Sequence, residues 1–402
     1  MVDMRRKKTD LAIVNRSFWP QSQVIGEGLL QFAEQTAQEH SVCVITQSEG
    51  DLPALLRKSG RGRGVQIRAC KSYTTSASGV VKRIVEAVFF MLWTFYSLVR
   101  ARPANVYVST NPPVVVPFIV AVYCRLFRAE YVYHMQDIHP EAANIVVPVN
   151  GIFFRLLAAI DNYTLRNANA VITLSENMAA HIRERSGTSS PVYLLDNPSF
   201  EVVPVPLQQR TGGIVFCGNA GRLQRIPLLM GAIREYLRMG GQLRFTFAGG
   251  GLYAPALTEL ANACERVDYL GVVPATEAAE LVNQHRWALL PIDDEVTRYA
   301  FPSKSSGYVL SGAGILAICG SDTSVARWVE EHGAGKVCNP EHDSLVQCFF
   351  ELEKQANGGV EVSENLKARL QIPFFAQQLQ RIVFGDPSPA VHILKTTRGA
   401  CS

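Results

Sequence analysis

Residues 212–231 (GGIVFCGNAGRLQRIPLLMG) constrain the fold of this chain more than any other stretch. The apolar run 214–217 predicts a buried strand, a tight glycine turn follows it, and Pro227 suits the first turn of a helix. A strand, a glycine turn and a helix N-terminus together favour anion binding, because backbone N–H groups and the helix dipole attract negative charge. The residues that we predict to hold a phosphate here are Gly218, Asn219, Gly221, Arg222 and Arg225.

An alternative interpretation of this stretch is a packed turn with two solvated arginines, since short glycine motifs often occur without a ligand. Two features favour the phosphate. The stretch opens the second half of the chain, and a second candidate phosphate loop, FPSKSS, follows at residues 301–306. This loop supplies Ser303, Lys304, Ser305 and Ser306. The sequence therefore predicts a protein organised around a diphosphate.

The length and composition indicate two α/β domains. A chain of 402 residues accommodates two domains of roughly 150–200 residues each. The nine cysteines contain no CxxC pair, which indicates reduced thiols in a cytoplasmic protein and no metal site. Residues 1–195 carry 21 Lys and Arg against 14 Asp and Glu, so the first half is the basic one. We expect no transmembrane helix, because no stretch provides about 18 clean apolar residues.

The first half alternates predicted strands and helices, as in an open parallel sheet. In such sheets, ligands bind at the loops after the strand ends. The strand 131–133 runs into HMQDIHPE, which makes His134, Asp137 and Glu141 catalytic candidates. On the acceptor side we place Gly26, Asn111 and Asn197. Gly26 could let a ligand approach the backbone, or it could simply begin a helix.

The predicted boundaries follow from the proline-bearing segment after Asn197. We expect an N-terminal domain at 1–197, a linker at 198–211 and a C-terminal domain at 212–385. The last helix could pack back on the N-terminal domain. Residues 386–402 are expected to be loosely ordered.

A basic segment and an apolar segment lie close together in the first half. Residues 57–71 contain six Lys and Arg and no acid, and residues 87–99 are uncharged and aromatic-rich. This combination fits an anionic membrane surface better than nucleic acid. The alternative is a buried helix that follows a flexible polar loop.

The ordered set of motifs resembles the retaining glycosyltransferases of family 4, and within it the bacterial branch that builds O-antigen, capsule and exopolysaccharide. The motifs that carry the resemblance are CGNAGRLQ at 217–224, MQDIHPE at 135–141, VITLSENM at 171–178, LLDNP at 194–198, FAGGG at 247–251, YLGVVP at 269–274 and FPSK at 301–304 with YVLSGAG at 308–314. They span nearly the whole chain.

The resemblance implies the GT-B fold, in which two Rossmann-like doubly wound α/β domains face each other across a cleft. It implies a nucleotide-diphosphate sugar as donor on the second domain, with Gly250, Gly271 and Val273 among the binding residues and Lys304 on the diphosphate. It implies a polyprenyl-linked glycan as acceptor and no cofactor. One departure stands out: the family commonly has glutamates at the positions of Gly307 and Tyr299, where one of them contacts the ribose.

Three functions are compatible with these observations. The first is a metal-independent glycosyltransferase on the inner face of the plasma membrane, which moves a sugar with retention onto a lipid-linked acceptor. The second is a nucleotide-sugar 2-epimerase of the same architecture, although the second half offers few carboxylates and histidines for it. The third is a non-catalytic scaffold that binds sugar nucleotides. The acidic run 293–295 is expected to form a solvated turn, not a metal site.

Overall fold

The chain forms two compact units, described here from a computed structural model. The structure describes residues 8–74, 78–146, 148, 150–203, 205–355, 360–386 and 392–394. Unit 1 comprises Met1–Asn197 and Ile372–Ser402, and unit 2 comprises Pro198–Gln371. Strands and helices are numbered below in chain order through both units.

Unit 1 is built on one eight-stranded sheet. Its strands are β1 (Thr9–Val14), β2 (Val42–Ser48), β3 (Val65–Lys71), β4 (Pro103–Ser109), β5 (Glu130–His134), β6 (Ala170–Thr173), β7 (Val192–Leu194) and β14 (His392–Leu394). Their spatial order is β14-β7-β6-β5-β4-β1-β2-β3, and only β14 runs antiparallel to its neighbour. The order reverses between β1 and β4, where Val14 pairs with Val108.

Helices cover both faces of this sheet. They are α1 (Val24–Thr36), α2 (Leu52–Lys58), α3 (Val80–Ala101), α4 (Val115–Phe127), α5 (Glu141–Val146), α6 (Gly151–Asn167), α7 (Glu176–Ser186) and α15 (Ile372–Val383). Helices α1 and α15 pack together, while α3, α4, α6 and α7 contact one another in sequence. One core lies between the sheet and helices α1 and α15, and its fully buried residues include Leu11, Ile13, Phe32, Val44 and Tyr107. Parallel strands that are covered on both faces carry nearly continuous apolar sequence, which supplies such a core.

Unit 2 repeats this architecture on a six-stranded parallel sheet. Its strands are β8 (Thr211–Cys217), β9 (Phe245–Ala248), β10 (Val267–Tyr269), β11 (His285–Pro291), β12 (Gly314–Ile318) and β13 (Gly335–Cys338). Its helices are α8 (Ile226–Arg238), α9 (Ala254–Ala263), α10 (Ala275–Asn283), α11 (Lys304–Leu310), α12 (Ser324–Glu331), α13 (His342–Lys354) and α14 (Glu364–Arg369). The strand order β10-β9-β8-β11-β12-β13 is the Rossmann order. The predicted fold class, two Rossmann-like doubly wound α/β domains, is confirmed.

The segment 198–211 is held against unit 2. The side chain of Asn283 accepts a hydrogen bond from the Val205 amide at 2.9 Å and donates one to the Val203 carbonyl at 2.8 Å. Arg210 Nε donates to the Val205 carbonyl at 2.8 Å. These residues therefore belong to the second unit and do not form a free linker. Helix α15 lies in unit 1, and β14 is a strand within the segment expected to be loosely ordered.

Two elements of unit 1 differ from the sequence prediction. Residues 57–71, expected as a polar segment, contain the end of α2 and the edge strand β3. An edge strand buries little of its surface, so β3 lacks the apolar run that marks the central strands. The Arg61 guanidinium lies 2.9 Å from carboxylate oxygens of both Glu27 and Glu34. Arg61 is therefore used within the fold and does not serve as a free membrane-binding cation.

Helix α3 is longer than the predicted apolar segment. Its portion Val81–Ala101 has a mean hydropathy of 1.5 and is long enough to cross a membrane, contrary to expectation. One side packs on the sheet, where Phe90 and Leu98 are fully buried. The other side exposes a stripe of large apolar residues, which are Val81, Ile84, Val85, Val88, Phe89, Leu92 and Tyr96. Helix α3 therefore has two apolar faces, one that packs on the core of unit 1 and one that is exposed.

Candidate functional site

The phosphate candidates of unit 2 lie at the point where its strand order reverses. Strands β8 and β11 are neighbours there, and β9 and β12 flank them. Loops after the strand ends diverge at such a point and leave a crevice, in which open α/β sheets bind their ligands. Gly218 directly follows β8, and Lys304 begins α11 soon after β11. The sequence motifs that we assigned to a diphosphate are thus brought to one place.

Close packing of glycine turns shapes this place. Gly218 has φ of +136° and Gly249 has φ of +128°, a region that side chains disfavour. A Cβ on Gly218 would lie 2.2 Å from Lys304 Nζ, and a Cβ on Gly249 would lie 2.0 Å from the Gly218 carbonyl oxygen. The turn after β8, the turn after β9 and the Lys304 side chain can therefore meet only because glycine occupies both positions.

The amides of the first turn are already used within unit 2. The Gly218 amide donates to the Ala248 carbonyl at 2.8 Å, the Ala220 amide donates to the Gly250 carbonyl at 2.7 Å, and the Gly221 amide donates to Gln224 Oε1 at 3.1 Å. The expectation that the backbone N–H groups of this turn point outward is wrong for these three residues. Positive charge at the crevice comes from side chains instead.

Lys304 supplies the most unusual charge. Its ammonium stands over the Phe216 ring, 4.4 Å from the ring centroid, and burial lowers its pKa to about 8. Among the residues that the structure describes, Lys304 forms no ion pair. A cavity of about 250 Å³ adjoins it, with Phe216, Gln224, Leu290, Phe301 and Ser303 in the lining. Lys304 is half-buried, and removing a cation from water without a counter-ion is costly, so an anion bound beside it would stabilise it.

The two arginines of the glycine turn have different surroundings. Arg225 lies 3.0 Å from Asp294 Oδ1, and its Nε donates to the Ile292 carbonyl at 2.9 Å. Arg222 is exposed and has no carboxylate partner within the described part of the chain. Asp294 therefore engages part of the Arg225 guanidinium, and the contact of Arg225 with a phosphate stays a prediction. Arg222 is the available one of the pair.

Asp294 was expected to lie in a solvated turn, but it connects two loops. Its Oδ1 accepts a hydrogen bond from the Gly320 amide at 2.9 Å and also faces Arg225. This contact ties the loop after β11 to the loop after β12. Sequence analysis missed the role, since an Asp–Asp–Glu run gives no indication of which partner each carboxylate takes.

The serines beside Lys304 divide into two groups. Ser303 lines the cavity, whereas Ser305 and Ser306 are each only 1% exposed. Ser305 Oγ donates to the Pro302 carbonyl at 2.9 Å, so its hydroxyl serves the start of α11. Ser305 and Ser306 are therefore not accessible ligand-binding groups in this structure. Gly307 faces Ser199, whose Oγ would lie 3.3 Å from a Cβ at that position.

The remaining candidates of unit 2 form its far edge. The Gly249 amide donates to the Gly271 carbonyl at 2.6 Å, and a Cβ on Gly250 would lie 3.1 Å from Val272 Cγ2. Val272 is 81% exposed, and Val273 next to it is half-buried. Gly250, Gly271 and Val273 therefore lie together beside the glycine turns, as an apolar surface suited to a flat ring.

Unit 1 buries one of its catalytic candidates completely. His134 has no exposed surface, Tyr107 Oη lies 2.6 Å from its Nδ1, and the Phe375 ring packs nearby. Burial lowers the pKa of His134 to about 3, so the ring stays neutral. The prediction of His134 as a catalytic residue is wrong, because it is a core histidine that no substrate can reach.

Glu141 is also engaged within the fold. Arg185 Nη1 lies 2.7 Å from Glu141 Oε2 and donates to the His139 carbonyl at 3.0 Å, and His181 Nε2 lies 3.2 Å from Glu141 Oε1. Burial alone would raise the pKa of Glu141, but the bonds to His181 and Arg185 hold it below its usual value. The structure assigns Glu141 to the support of the loop, not to catalysis.

Asp161 completes this network. Arg185 Nη2 pairs with Asp161 Oδ2, and Tyr133 Oη donates to Asp161 Oδ1 at 2.9 Å. Burial raises the pKa of Asp161 to about 6, although Arg185 opposes the shift. One arginine of α7 thereby joins α6 to the loop and helix that follow β5. The sequence gives little indication of this network, because Glu141, Asp161 and Arg185 lie far apart along the chain.

Asp137 is the catalytic candidate that remains accessible. It is exposed, and its carboxylate makes no hydrogen bond or ion pair to other residues that the structure describes. It lies between β5 and the anchored residues His139 and Glu141. A free carboxylate on a fixed loop is able to act on a ligand.

The three acceptor-side candidates, Asn111, Asn197 and Gly26, have different surroundings. Asn111 Nδ2 donates to Ser17 Oγ at 2.8 Å, which joins the loops after β4 and β1, where the strand order of unit 1 reverses. Asn197 is buried. A Cβ on Gly26 would lie 2.7 Å from the backbone at Phe18 and Trp19. The chain itself occupies that space, so Gly26 serves loop packing and not the approach of an acceptor.

Within the described ranges, no cluster of three or more His, Cys, Asp or Glu side chains could hold a metal ion. In the acidic run at 293–295, Asp294 is bonded to Arg225 and to the Gly320 amide.

Comparisons with known proteins agree with this geometry. Residues 28–198 match the Glycosyl transferase 4-like domain family. The chain is 26% identical over 285 residues to the probable glycosyltransferase WbjE of Pseudomonas aeruginosa, a match that covers 65% of this chain and 70% of WbjE. The matched residues lie in unit 1. These two findings support a glycosyltransferase.

Solved structures resemble the chain over both units. Sucrose-phosphate synthase from Thermosynechococcus elongatus superposes with a TM-score of 0.68 at 13% identity, over 94% of this chain and 99% of that one. Anabaena HepE in complex with UDP superposes with a TM-score of 0.55 at 15% identity, and the match covers 93% of this chain and 95% of HepE. A putative UDP-N-acetylglucosamine 2-epimerase from Listeria monocytogenes superposes with a TM-score of 0.58 at 12% identity, and the match covers 95% of this chain and 98% of the epimerase. The chain therefore has the GT-B fold, which transferases and epimerases share.

The charge network of unit 1 leads to a prediction about stability. Replacing Arg185 by Met leaves Asp161 and Glu141 buried without their cation, which should lower the free energy of unfolding by about 3–5 kcal/mol. Chemical denaturation followed by circular dichroism measures this loss.

Arg155→Met is the matched control, because Arg155 is exposed on α6 and only bonds the Gly151 carbonyl at 3.4 Å. A similar small change in both variants would contradict the role of Arg185.

Proposed function

We propose that this protein is a retaining glycosyltransferase that transfers a sugar from a nucleotide-diphosphate sugar to a polyprenyl-linked glycan acceptor in the synthesis of a surface polysaccharide. The observation that carries the proposal is Lys304, a half-buried cation on the Phe216 ring without an ion-pair partner in the described residues, at the strand-order reversal of unit 2. The family match and the similarity to WbjE support the transferase class. HepE, which shares the fold, is a UDP complex.

In this proposal the cations of unit 2 hold the diphosphate. The Lys304 ammonium contacts the phosphate nearest the sugar, and the exposed Arg222 guanidinium takes the outer oxygens. Charge-assisted bonds of this kind stabilise the negative charge that grows on the leaving group. The nucleotide ring lies on the apolar surface of Gly271–Val273, and a second cation makes a metal unnecessary for neutralisation.

The transferred sugar gains positive charge as its anomeric bond breaks. We assign Asp137 to the stabilisation of that charge or to the orientation of the acceptor, because it is the unpaired carboxylate among our three catalytic candidates. The leaving phosphate takes the proton of the acceptor hydroxyl. Arg185 keeps the Asp137 loop in place through His139 and Glu141.

The unpartnered stripe of α3 supports a membrane location. Phe89 and Leu92 are 45% and 59% exposed, and Lys82, Arg83 and Arg100 near the two ends of the helix are exposed as well. Apolar and basic side chains together bind anionic bilayer surfaces. We therefore place the protein on the inner face of the plasma membrane as a peripheral protein, where a lipid-linked acceptor is available.

The first test concerns Lys304. Lys304→Gln removes a charge-assisted bond worth about 1.5–3 kcal/mol, so the affinity for the nucleotide-diphosphate sugar should fall about 10–100-fold. Thermal-shift screening identifies the donor, and titration calorimetry then measures the affinity. The exposed Lys354→Gln on α13 is the control and should bind normally. Equal affinity in all three proteins would place the diphosphate elsewhere.

The pKa of Lys304 predicts a dependence on pH. The ammonium is charged below its pKa of about 8 and loses its proton above it, while the phosphates stay ionised. Donor affinity should therefore weaken as the pH rises through about 8, by up to tenfold per unit. Lys304→Gln has no proton to lose and should show a flat profile over the same range. A wild-type profile that is also flat would argue against the contact.

The second test concerns Asp137. Asp137→Asn keeps the shape but removes the charge, which should lower turnover by about 10²-fold or more while donor affinity stays close to that of the wild type. Steady-state kinetics and calorimetry separate the two effects. Asp51→Asn, at the exposed N-cap of α2, keeps its cap and should leave turnover unchanged. Normal turnover in Asp137→Asn would remove the residue from the mechanism.

The third test concerns metals and the epimerase alternative. Transfer should continue in EDTA, because Lys304 and Arg222 neutralise the leaving diphosphate. Loss of activity that Mn²⁺ or Mg²⁺ restores would contradict this. Sugar should be released from the donor only when a polyprenyl-linked acceptor is present, whereas interconversion of the free donor would identify an epimerase.

A further inference from the structure

An apolar groove lies at the beginning of α3, outside the residues assigned above. It has a volume of about 440 Å³, within the range of roughly 300–1,000 Å³ that is typical of ligand sites. Val81, Val85 and Phe89 of α3 form one wall, and Tyr73, which follows β3, forms the other. All four side chains are between 45% and 76% exposed, which leaves the groove accessible from the surface of unit 1.

Glu86 fixes the shape of this groove. The carboxylate is 4% exposed and accepts hydrogen bonds from the Tyr73 amide at 2.5 Å and from the Thr74 amide at 3.1 Å. The Thr74 hydroxyl bonds it as well. These contacts hold the segment after β3 against the first turns of α3, so the two walls keep their distance.

Cations surround the apolar walls. Lys82 is exposed and lines the groove, and Lys71 Nζ lies 5.6 Å from the centre of the Tyr73 ring. Arg16 Nη1 lies 3.8 Å from Glu86 Oε2, with its side chain 29% exposed. The acid here, Glu86, is buried and bonded by the backbone. The groove therefore combines an apolar interior with basic surroundings, which complements an amphiphile with an anionic head.

Arg16 also links the groove to the acceptor side. It follows β1, and its amide donates to the carbonyl of Asn111 at 2.9 Å. The loops after β1 and β4 lie where the strand order of unit 1 reverses. A phosphate at Arg16 would thus stand between the acceptor-side loops and the apolar walls on α3.

We infer that this groove binds the first isoprenoid units of the polyprenyl diphosphate acceptor, with Arg16 and Lys82 on its phosphates. The inference rests on the proposed function for the identity of the lipid. It differs from adsorption of α3 on a bilayer, since it requires an isoprenoid chain held between the two walls of the groove and a phosphate at fixed positions. Residues of the exposed stripe that lie outside the groove, such as Leu92, do not take part.

Farnesyl diphosphate tests the groove without a membrane, because its short isoprenoid chain keeps it soluble. Calorimetry with the full chain should show that it binds at least tenfold more tightly than inorganic diphosphate. Val85→Asp should remove this difference by placing a charge in the groove. Leu92→Asp, an equally exposed apolar position on the same helix, should keep it. Equal effects of the two substitutions would overturn the inference.

Two further arms identify the source of binding. Lys304→Gln should keep the preference for farnesyl diphosphate over inorganic diphosphate, because the apolar groove of unit 1 supplies it, and a loss of that preference in this variant would assign it to unit 2 instead. Dihexanoyl phosphatidic acid offers a phosphate on acyl chains, and affinity equal to that of farnesyl diphosphate would show a general lipid site and contradict the isoprenoid assignment. Farnesyl diphosphate binding without any sugar transfer by the wild type would reject the proposed function and leave the groove intact.

Discussion

The meeting of Gly218, Gly249 and Lys304 is the contact on which the candidate site of unit 2 depends. A side chain at either glycine would occupy the place of the Lys304 ammonium or of the Gly218 carbonyl. Because both glycines are bare, the lysine stem reaches across the end of β8 and lies on Phe216. The same closeness uses the turn amides for hydrogen bonds inside the unit. The site therefore relies on charged side chains where many phosphate loops rely on backbone N–H groups.

The alternation of strands and helices was predictable because parallel strands are buried on both faces and so carry continuous apolar sequence. The strands that escaped prediction, β3, β13 and β14, each lie at an edge of their sheet. An edge strand is covered less, and Gln66, Arg68 and Lys71 of β3 interrupt its apolar pattern. Sheet topology also brings candidate residues that follow different strands to one edge of each sheet.

Sequence analysis could not decide which of those candidates are free. His134 and Asp137 are three residues apart, yet one is a neutral core side chain and the other is exposed. Arg222 and Arg225 are equally close, yet only Arg225 meets Asp294. In each pair the difference is set by partners more than 25 positions away, such as Tyr107 for His134. Spacing along the chain carries no information about such contacts, and the structure is needed to supply it.

The resemblance to family 4 led us to expect a glutamate at position 307, where this chain has glycine, and the structure shows what lies beside that position. Ser199, held to the Leu370 carbonyl through its amide at 2.8 Å, faces Gly307 at close range. A carboxylate at that position would have to displace a hydroxyl that belongs to the segment 198–211, which unit 2 itself fixes in place. In the function that we propose, recognition of the donor therefore rests more on its diphosphate and on the apolar edge at Val272 than on a charged contact to the ribose.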